Sequence, residues 1–223
     1  MIESPTSRDT VASAPVQRDG RRRAMTESPL VLAARAWVIG NYPYNREHLL
    51  RALERLDDLA PASSEAVRLA TLTHDMERAF PGPDSPPMSA LDDPEYNQLH
   101  CQRSARIVTA WLRDQQAAEA LIGDVERLIL AHETGGWAEA DLVQAADSLS
   151  FLDTNVDLFL GFVRAGRFPA SAVRWKFEQT YHRIKVPRAR AIARPLVNDA
   201  VAKLAALERS LAPSAAPSNG DGQ

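Results

Sequence analysis

The sequence predicts an all-α protein, a single helical bundle of about eight helices. Apolar residues recur three and four apart from about residue 29 to residue 210, and Pro or Gly punctuates the gaps between periodic segments. No run shows the strict apolar-polar alternation of a half-buried strand. No stretch repeats at a period of 20 to 50 residues, which argues against a solenoid.

The elements follow in chain order. Residues 1–27 mix Ser, Thr, Pro, Asp and Arg without an apolar period and are expected to form a disordered leader. The ordered helical domain is expected over 28–211, and the tail APSAAPSNGDGQ over 212–223 is expected to be disordered. Helical segments are predicted at about 29–40, 46–59, 63–79, 94–113, 117–133, 137–150, 151–165, 169–184 and 187–210. Asn45 is expected to cap the second segment and Ser63 or Ser64 the third, because their side-chain oxygens can accept from first-turn amides. Pro169 and Pro187 suit first helical turns, where the missing N–H is not needed. Pro195 is expected to break or kink the last helix. The run FPGPDSPPMSALDDP is expected to be a loop.

Composition limits the function classes. The chain has 223 residues, 45% hydrophobic and 25% charged, enough for one conventional core. It has no apolar stretch of membrane-spanning length and no signal-peptide run, so a soluble, cytoplasmic protein is expected, with no membrane partner. The single Cys101 leaves no thiolate cluster for zinc, so any metal must be held by His and carboxylate. There is no Gly-rich phosphate loop and no nucleophile elbow. The chain carries a net charge of −3, but between Arg164 and Arg194 nine Lys or Arg face one acid, Glu178. That segment can attract an anion or present a solvated face. Homodimerisation is left open.

Four of the five histidines stand at positions that bear on function. His132 continues the apolar stripe of Leu121, Ile122, Val125, Leu128 and Ile129, and so is expected to point inward. His48 shares a face with Ala52, Leu56 and Leu59; His74 shares one with Val67 and Ala70 and is followed at once by Asp75. His100 lies one turn beyond Tyr96, and Asp147 lies in AADSLSFLD between Val143 and Phe151. His182, in a basic run, is expected to be a satisfied or surface imidazole. Burying an isolated charge is costly enough that it neutralises or recruits a cation, and neutral imidazoles with ionised carboxylates are what a divalent metal accepts. The face carrying Arg51, Glu54, Arg55, Asp57 and Asp58 reads as solvated surface with local ion pairs.

The order His48, His74-Asp75, His100, His132, Asp147 resembles the H…HD…H…H…D pattern of the HD-domain superfamily, in the subgroup with two metals per site. The resemblance covers about residues 30–165. It implies an HD-like all-α fold in which the His-Asp pair and the last Asp hold a shared site, Asp75 bridges two metals, and the two middle histidines complete the second. The implied cofactor is a pair of divalent ions drawn from Fe, Mn, Co, Ni or Zn. Many members continue His-Asp-x-Gly-Lys; here Glu77 stands for the Gly and Arg78 for the cation. Arg78 is therefore a candidate catalytic residue with Asp75, and a candidate for substrate binding with Arg103, Tyr42 and Tyr44; Arg106 is a weaker candidate.

The implied chemistry is hydrolysis of a nucleotide, phosphodiester or small phosphate ester by a metal-activated water. Two alternatives accompany it. One is an HD-type mixed-valence di-iron oxygenase acting on a small polar substrate; the other is a non-catalytic module that binds a nucleotide through the basic 164–194 segment. A pI near 6.0 and the lack of a groove-reading motif argue against nucleic acid as a partner.

Overall fold

The computed structural model of the chain describes residues 27–212. The expected leader and tail lie outside the described residues except at Glu27 and Ala212. Nine α-helices and one 3₁₀ turn make up the described part, with no strand: α1 (Pro29–Asn41), α2 (Arg46–Leu59), α3 (Glu65–Thr73), the 3₁₀ turn (Met76–Ala79), α4 (Pro94–Asp114), α5 (Glu119–Leu130), α6 (Ala138–Thr154), α7 (Val156–Arg164), α8 (Ala170–His182) and α9 (Pro187–Leu211). No helix among the described residues is long and apolar enough to cross a membrane.

Two apolar clusters share α6. Val31, Val38, Leu53, Leu69, Val108 and Ile129 of the first five helices pack with Val143 and Ala146 of α6. On the other side, Leu149 and Leu152 of α6 pack with Phe159, Phe177, Ala193 and Leu204 from α7, α8 and α9. A helix covered on both sides has no solvent stripe to keep polar, which is why α6 is buried almost throughout. Asp147 therefore sits between two cores.

The boundaries depart from expectation where the site begins. The segment predicted as one helix over 63–79 stops at Thr73 and resumes as the 3₁₀ turn, so His74 and Asp75 occupy the break. The segment predicted to reach 133 stops at Leu130, and His132 lies in the turn after it. Gly135 and Gly136 then take positive φ values of 63° and 134°, and the Gly136 amide donates to Asp141 Oδ1 at 2.8 Å, which closes the link to α6. A Cβ on Gly135 would run into that same carboxylate.

Ser64 caps α3 through the Val67 amide, but Asn45 makes no side-chain cap; it is the residue before α2 only by position. Pro187 is in the first turn of α9, whereas Pro169 precedes α8 as its cap residue. Pro195 does not end α9, because Ala193 and Val197 are buried on either side of it and their packing outweighs one lost backbone bond. Nor are Arg51 and Arg55 merely solvated. Both grip Asp153 of α6, Arg55 with Nε at 2.7 Å and Nη2 at 2.8 Å, which ties α2 to α6. Ser150 Oγ donates to the His48 carbonyl at 2.5 Å across the same pair.

Candidate metal centre

All six residues singled out by the sequence meet in one buried place. His48, His74, His100 and His132 are at most 2% exposed, Asp75 3% and Asp147 5%. Neighbouring imidazole rings are about one ring apart: His48 to His74 5.4 Å, His74 to His132 4.9 Å and His100 to His132 5.3 Å between centroids. The fifth histidine, His182, is exposed and elsewhere.

The two helix ends explain the orientation of two rings. His74 follows α3, and its Nδ1 donates to the Thr71 carbonyl at 2.9 Å; His132 follows α5, and its Nδ1 donates to the Ile129 carbonyl at 2.7 Å. In each case the ring satisfies a carbonyl near a helix C-terminus. A carbonyl only accepts, so Nδ1 must carry the proton, and Nε2 is left to face inward. His100 reaches the same state by another route, donating Nδ1 to Glu77 Oε1 at 3.0 Å. The Nε2 atoms of His74, His100 and His132 are all buried without a hydrogen-bond partner. Fixing one imidazole nitrogen so that the other presents its lone pair is how proteins prepare a metal ligand. His48 departs from this pattern, for its Nδ1 is buried without a partner and its Nε2 lies 3.1 Å from Asp147 Oδ1.

Each aspartate divides its oxygens between two tasks. Asp147 Oδ1 lies 3.1 Å from His48 Nε2 and 3.4 Å from His74 Nε2, while Oδ2 pairs with Arg183. Asp75 Oδ1 lies 2.9 Å from His100 Nε2 and 3.9 Å from His74 Nε2, while Oδ2 takes Arg78 Nη1 at 2.7 Å. Asp75 thus stands between the His48-His74 side and the His100-His132 side. Three sets of donor atoms lie close enough together to hold a metal ion: His48, His74 and Asp147; His74, Asp75 and His132; and His100, His132 and Glu133. Cys101 is in none of them. Its sulfur lies 3.5 Å from His132 Nδ1, behind the ring, and burial pushes its thiol up to about 12.

Burial and charge act in opposite directions on the site's carboxylates and histidines. Burial opposes ionisation of Asp147 and Asp75, yet Arg183 and His74 hold the first, and Arg78 and His74 the second, well below the usual carboxylate range. Burial likewise disfavours charge on His74, but Asp147 and Asp75 raise it to about 9, so in this arrangement a proton on His74 balances part of the charge. His132 goes the other way: burial, with His74 and His100 beside it, lowers it to about 4.

The proposed substrate-binding residues fare unevenly. Arg78 lines the recess outside the histidines, although its guanidinium is engaged by Asp75. Arg103 does not line that recess. It is 8% exposed and held by Glu77 Oε2 at 3.1 Å and by the carbonyls of Glu77 and Phe80 at 2.8 and 2.6 Å, because it lies one turn after His100 on the face of α4 that packs against the 3₁₀ turn. Arg106 pairs with Asp84 on the exposed surface. Tyr42 is fully buried in the first cluster and meets Tyr44 edge-on at 4.8 Å; Tyr44 is 67% exposed, with its hydroxyl 3.3 Å from the Arg78 carbonyl. Neither tyrosine lines the recess; Tyr96, stacked on His100 at 5.9 Å, does.

Four residues near the centre escaped the sequence reading. Glu77 orients His100; Glu133 joins a donor set; Arg183 binds Glu133 and Asp147; Lys176 lines the recess. The excess of cations in 164–194 was the one sequence signal for the last two, and it did not say which of the nine turn inward.

Comparison with family models, with curated proteins and with solved structures returns no match for this chain.

Proposed function

We propose that this protein is a binuclear metal-dependent hydrolase of the HD type that acts on a small phosphate-containing anion. The observation that carries the reading is the convergence of three buried, unpartnered Nε2 atoms from separate elements on two carboxylates that each keep one oxygen for them. Such nitrogens, stripped of water and facing carboxylates, are costly unless a proton or a metal ion meets them, and two metal ions could replace the proton that His74 carries in their absence. His48, His74 and Asp147 would hold one ion and His100 and His132 the other, with Asp75 between. Two divalent ions held there would lower the pKa of a bound water and neutralise charge on a phosphoryl group.

The chain's own residues do the rest. Arg78 and Arg183 fix the outer oxygens of Asp75 and Asp147, so that both carboxylates stay ionised and correctly turned. Arg78, Arg103 and Arg183 pair with Asp75, Glu77, Glu133 and Asp147, and Lys176 adds a cation to the recess without pairing with any of them. Two added divalent ions would leave the recess with excess positive charge, which an anionic substrate answers. The recess opens to solvent and holds about 550 Å³ of empty space including its mouth, which suits a small organic anion better than a polymer.

The test is turnover of small phosphate esters by protein loaded with Mn²⁺ or Co²⁺. Phosphate release that disappears on chelation and in His74→Ala is the expected result. Oxygen uptake and a mixed-valence iron signal from iron-loaded protein, without phosphate release, would overturn hydrolysis in favour of oxygenase chemistry. A chain that takes up no metal would remove both.

A further inference from the structure

We propose that Lys176 is the anion anchor of this recess, and that its ligand is a small organic phosphate whose organic part lies on Phe151 and Phe159. The proposal rests on the hydrolase reading and adds the substrate's shape and the residue that selects it.

The cations lining the recess differ in how far they are committed. Arg78 is engaged by Asp75, and Arg183 by Asp147, Glu133 and Ser148 Oγ, the last at 2.9 Å. Both guanidiniums are paired with internal carboxylates, Arg78 through Nη1 while its Nε keeps no hydrogen-bond partner. Lys176 lies two turns before Arg183, on the same side of α8, and lines the same recess. Among the described residues its ammonium has no carboxylate within 4.0 Å and no hydrogen-bond acceptor. It lies over the face of Phe151, with Nζ 5.7 Å from the ring centroid. A cation held over an aromatic wall beside a metal-ligand cluster, with its three donors unspent, is placed to bind the oxygens of an incoming anion.

The wall sets the rest of the ligand. Phe151 and Phe159 pack edge-on at 5.0 Å, and Met88 and Leu91 from the proline-rich loop line the same recess. These side chains give the recess an apolar portion beside the polar one made by His48, Asp75 and Asp147. An inorganic phosphate would leave that wall wet, whereas a phosphate carrying a short apolar or aromatic group would cover it. Burial also lowers the Lys176 ammonium's pKa, with Glu133 opposing, although the side chain keeps part of its surface in contact with solvent.

The experiment titrates inorganic phosphate and phenylphosphonate, which has no hydrolysable ester bond, into the Mn²⁺-loaded and the metal-free full chain by calorimetry. The wild-type chain is compared with Lys176→Met, Lys176→Arg and Phe151→Leu, and metal content is determined for each. We expect phenylphosphonate to bind the wild type more tightly than phosphate. Lys176→Met should weaken both by about tenfold or more, the scale of a lost charge-assisted hydrogen bond. Metal content should not change, and Lys176→Arg should recover most of the loss. Phe151→Leu should narrow the preference for phenylphosphonate without altering phosphate. Equal anion affinity in Lys176→Met and wild type overturns the anchor, and equal affinity for the two anions overturns the apolar wall. Absence of metal from the wild type would sink the hydrolase reading by a separate measurement, and the metal-free titrations would still decide whether Lys176 holds the anion.

Discussion

Arg183, at the end of α8, and Asp147, in the middle of α6, form an ion pair through the carboxylate oxygen that the histidines leave unclaimed. Glu133 completes a triad on the same guanidinium. Replacing Arg183 with Met would leave two largely buried carboxylates without their cation, a change that costs about 3 kcal/mol or more. The metal-free variant should melt well below the wild type, and divalent metal should restore part of the difference. An unchanged melting temperature in the metal-free state would show that the pair holds nothing together.

His132 and His48 lie on opposite sides of Asp75, so their loss should be distinguishable by stoichiometry. Elemental analysis of His132→Ala should give about one metal per chain where the wild type gives two, with the remaining ion on the His48-His74-Asp147 side. His48→Ala should leave its ion with His100 and His132. Retention of two tightly held ions in both variants would refute the division of the site.

Glu77 accepts from His100 Nδ1 and from Arg103, which makes it the support of one ligand without being a ligand itself. Glu77→Gln preserves the shape and removes the charge. Metal affinity in competition with a chelator should fall by about tenfold to a hundredfold, as for other carboxylates behind a ligating imidazole. Wild-type affinity in this variant would mean that the turn, and not the carboxylate, positions His100.

The histidines also predict how stability depends on pH, with opposite signs on the two sides of neutrality. His74 is raised to about 9 in the folded chain, so its contribution is present in full below the ordinary histidine pKa of about 6.5 and is lost as pH rises through 9. His132 is lowered to about 4, so the unfolded chain binds its proton first, and stability falls as pH drops from about 6.5 to 4. The metal-free protein should therefore be most stable near pH 6.5 in denaturant titrations. With metal present the alkaline loss should vanish, because bound cations displace the His74 proton and favour higher pH. A metal-free profile that rises from pH 6.5 to 9 would contradict the charge balance described for His74.

The amino-acid sequence by itself determined the helical class, and its periodicity of 3.6 put His48, His74, His132 and Asp147 on inward faces, while Asp75 and His100 joined them through the resemblance to the HD pattern. His132 could be placed from the stripe of Ile122, Val125 and Ile129 alone, even though its helix ends two residues earlier than the pattern suggests. Only the tertiary structure decided what those residues touch. Glu77 meets His100 across 23 positions, and Arg183 meets Glu133 across 50, through the packing of 3₁₀ turn on α4 and of α8 on α6. Arg103 and Lys176 look alike as cations in a sequence, but one is spent on Glu77 and two carbonyls and the other stands free over Phe151. The physical reason is that burial follows local periodicity, whereas the pairing of long charged side chains depends on distances between helices that no local pattern encodes.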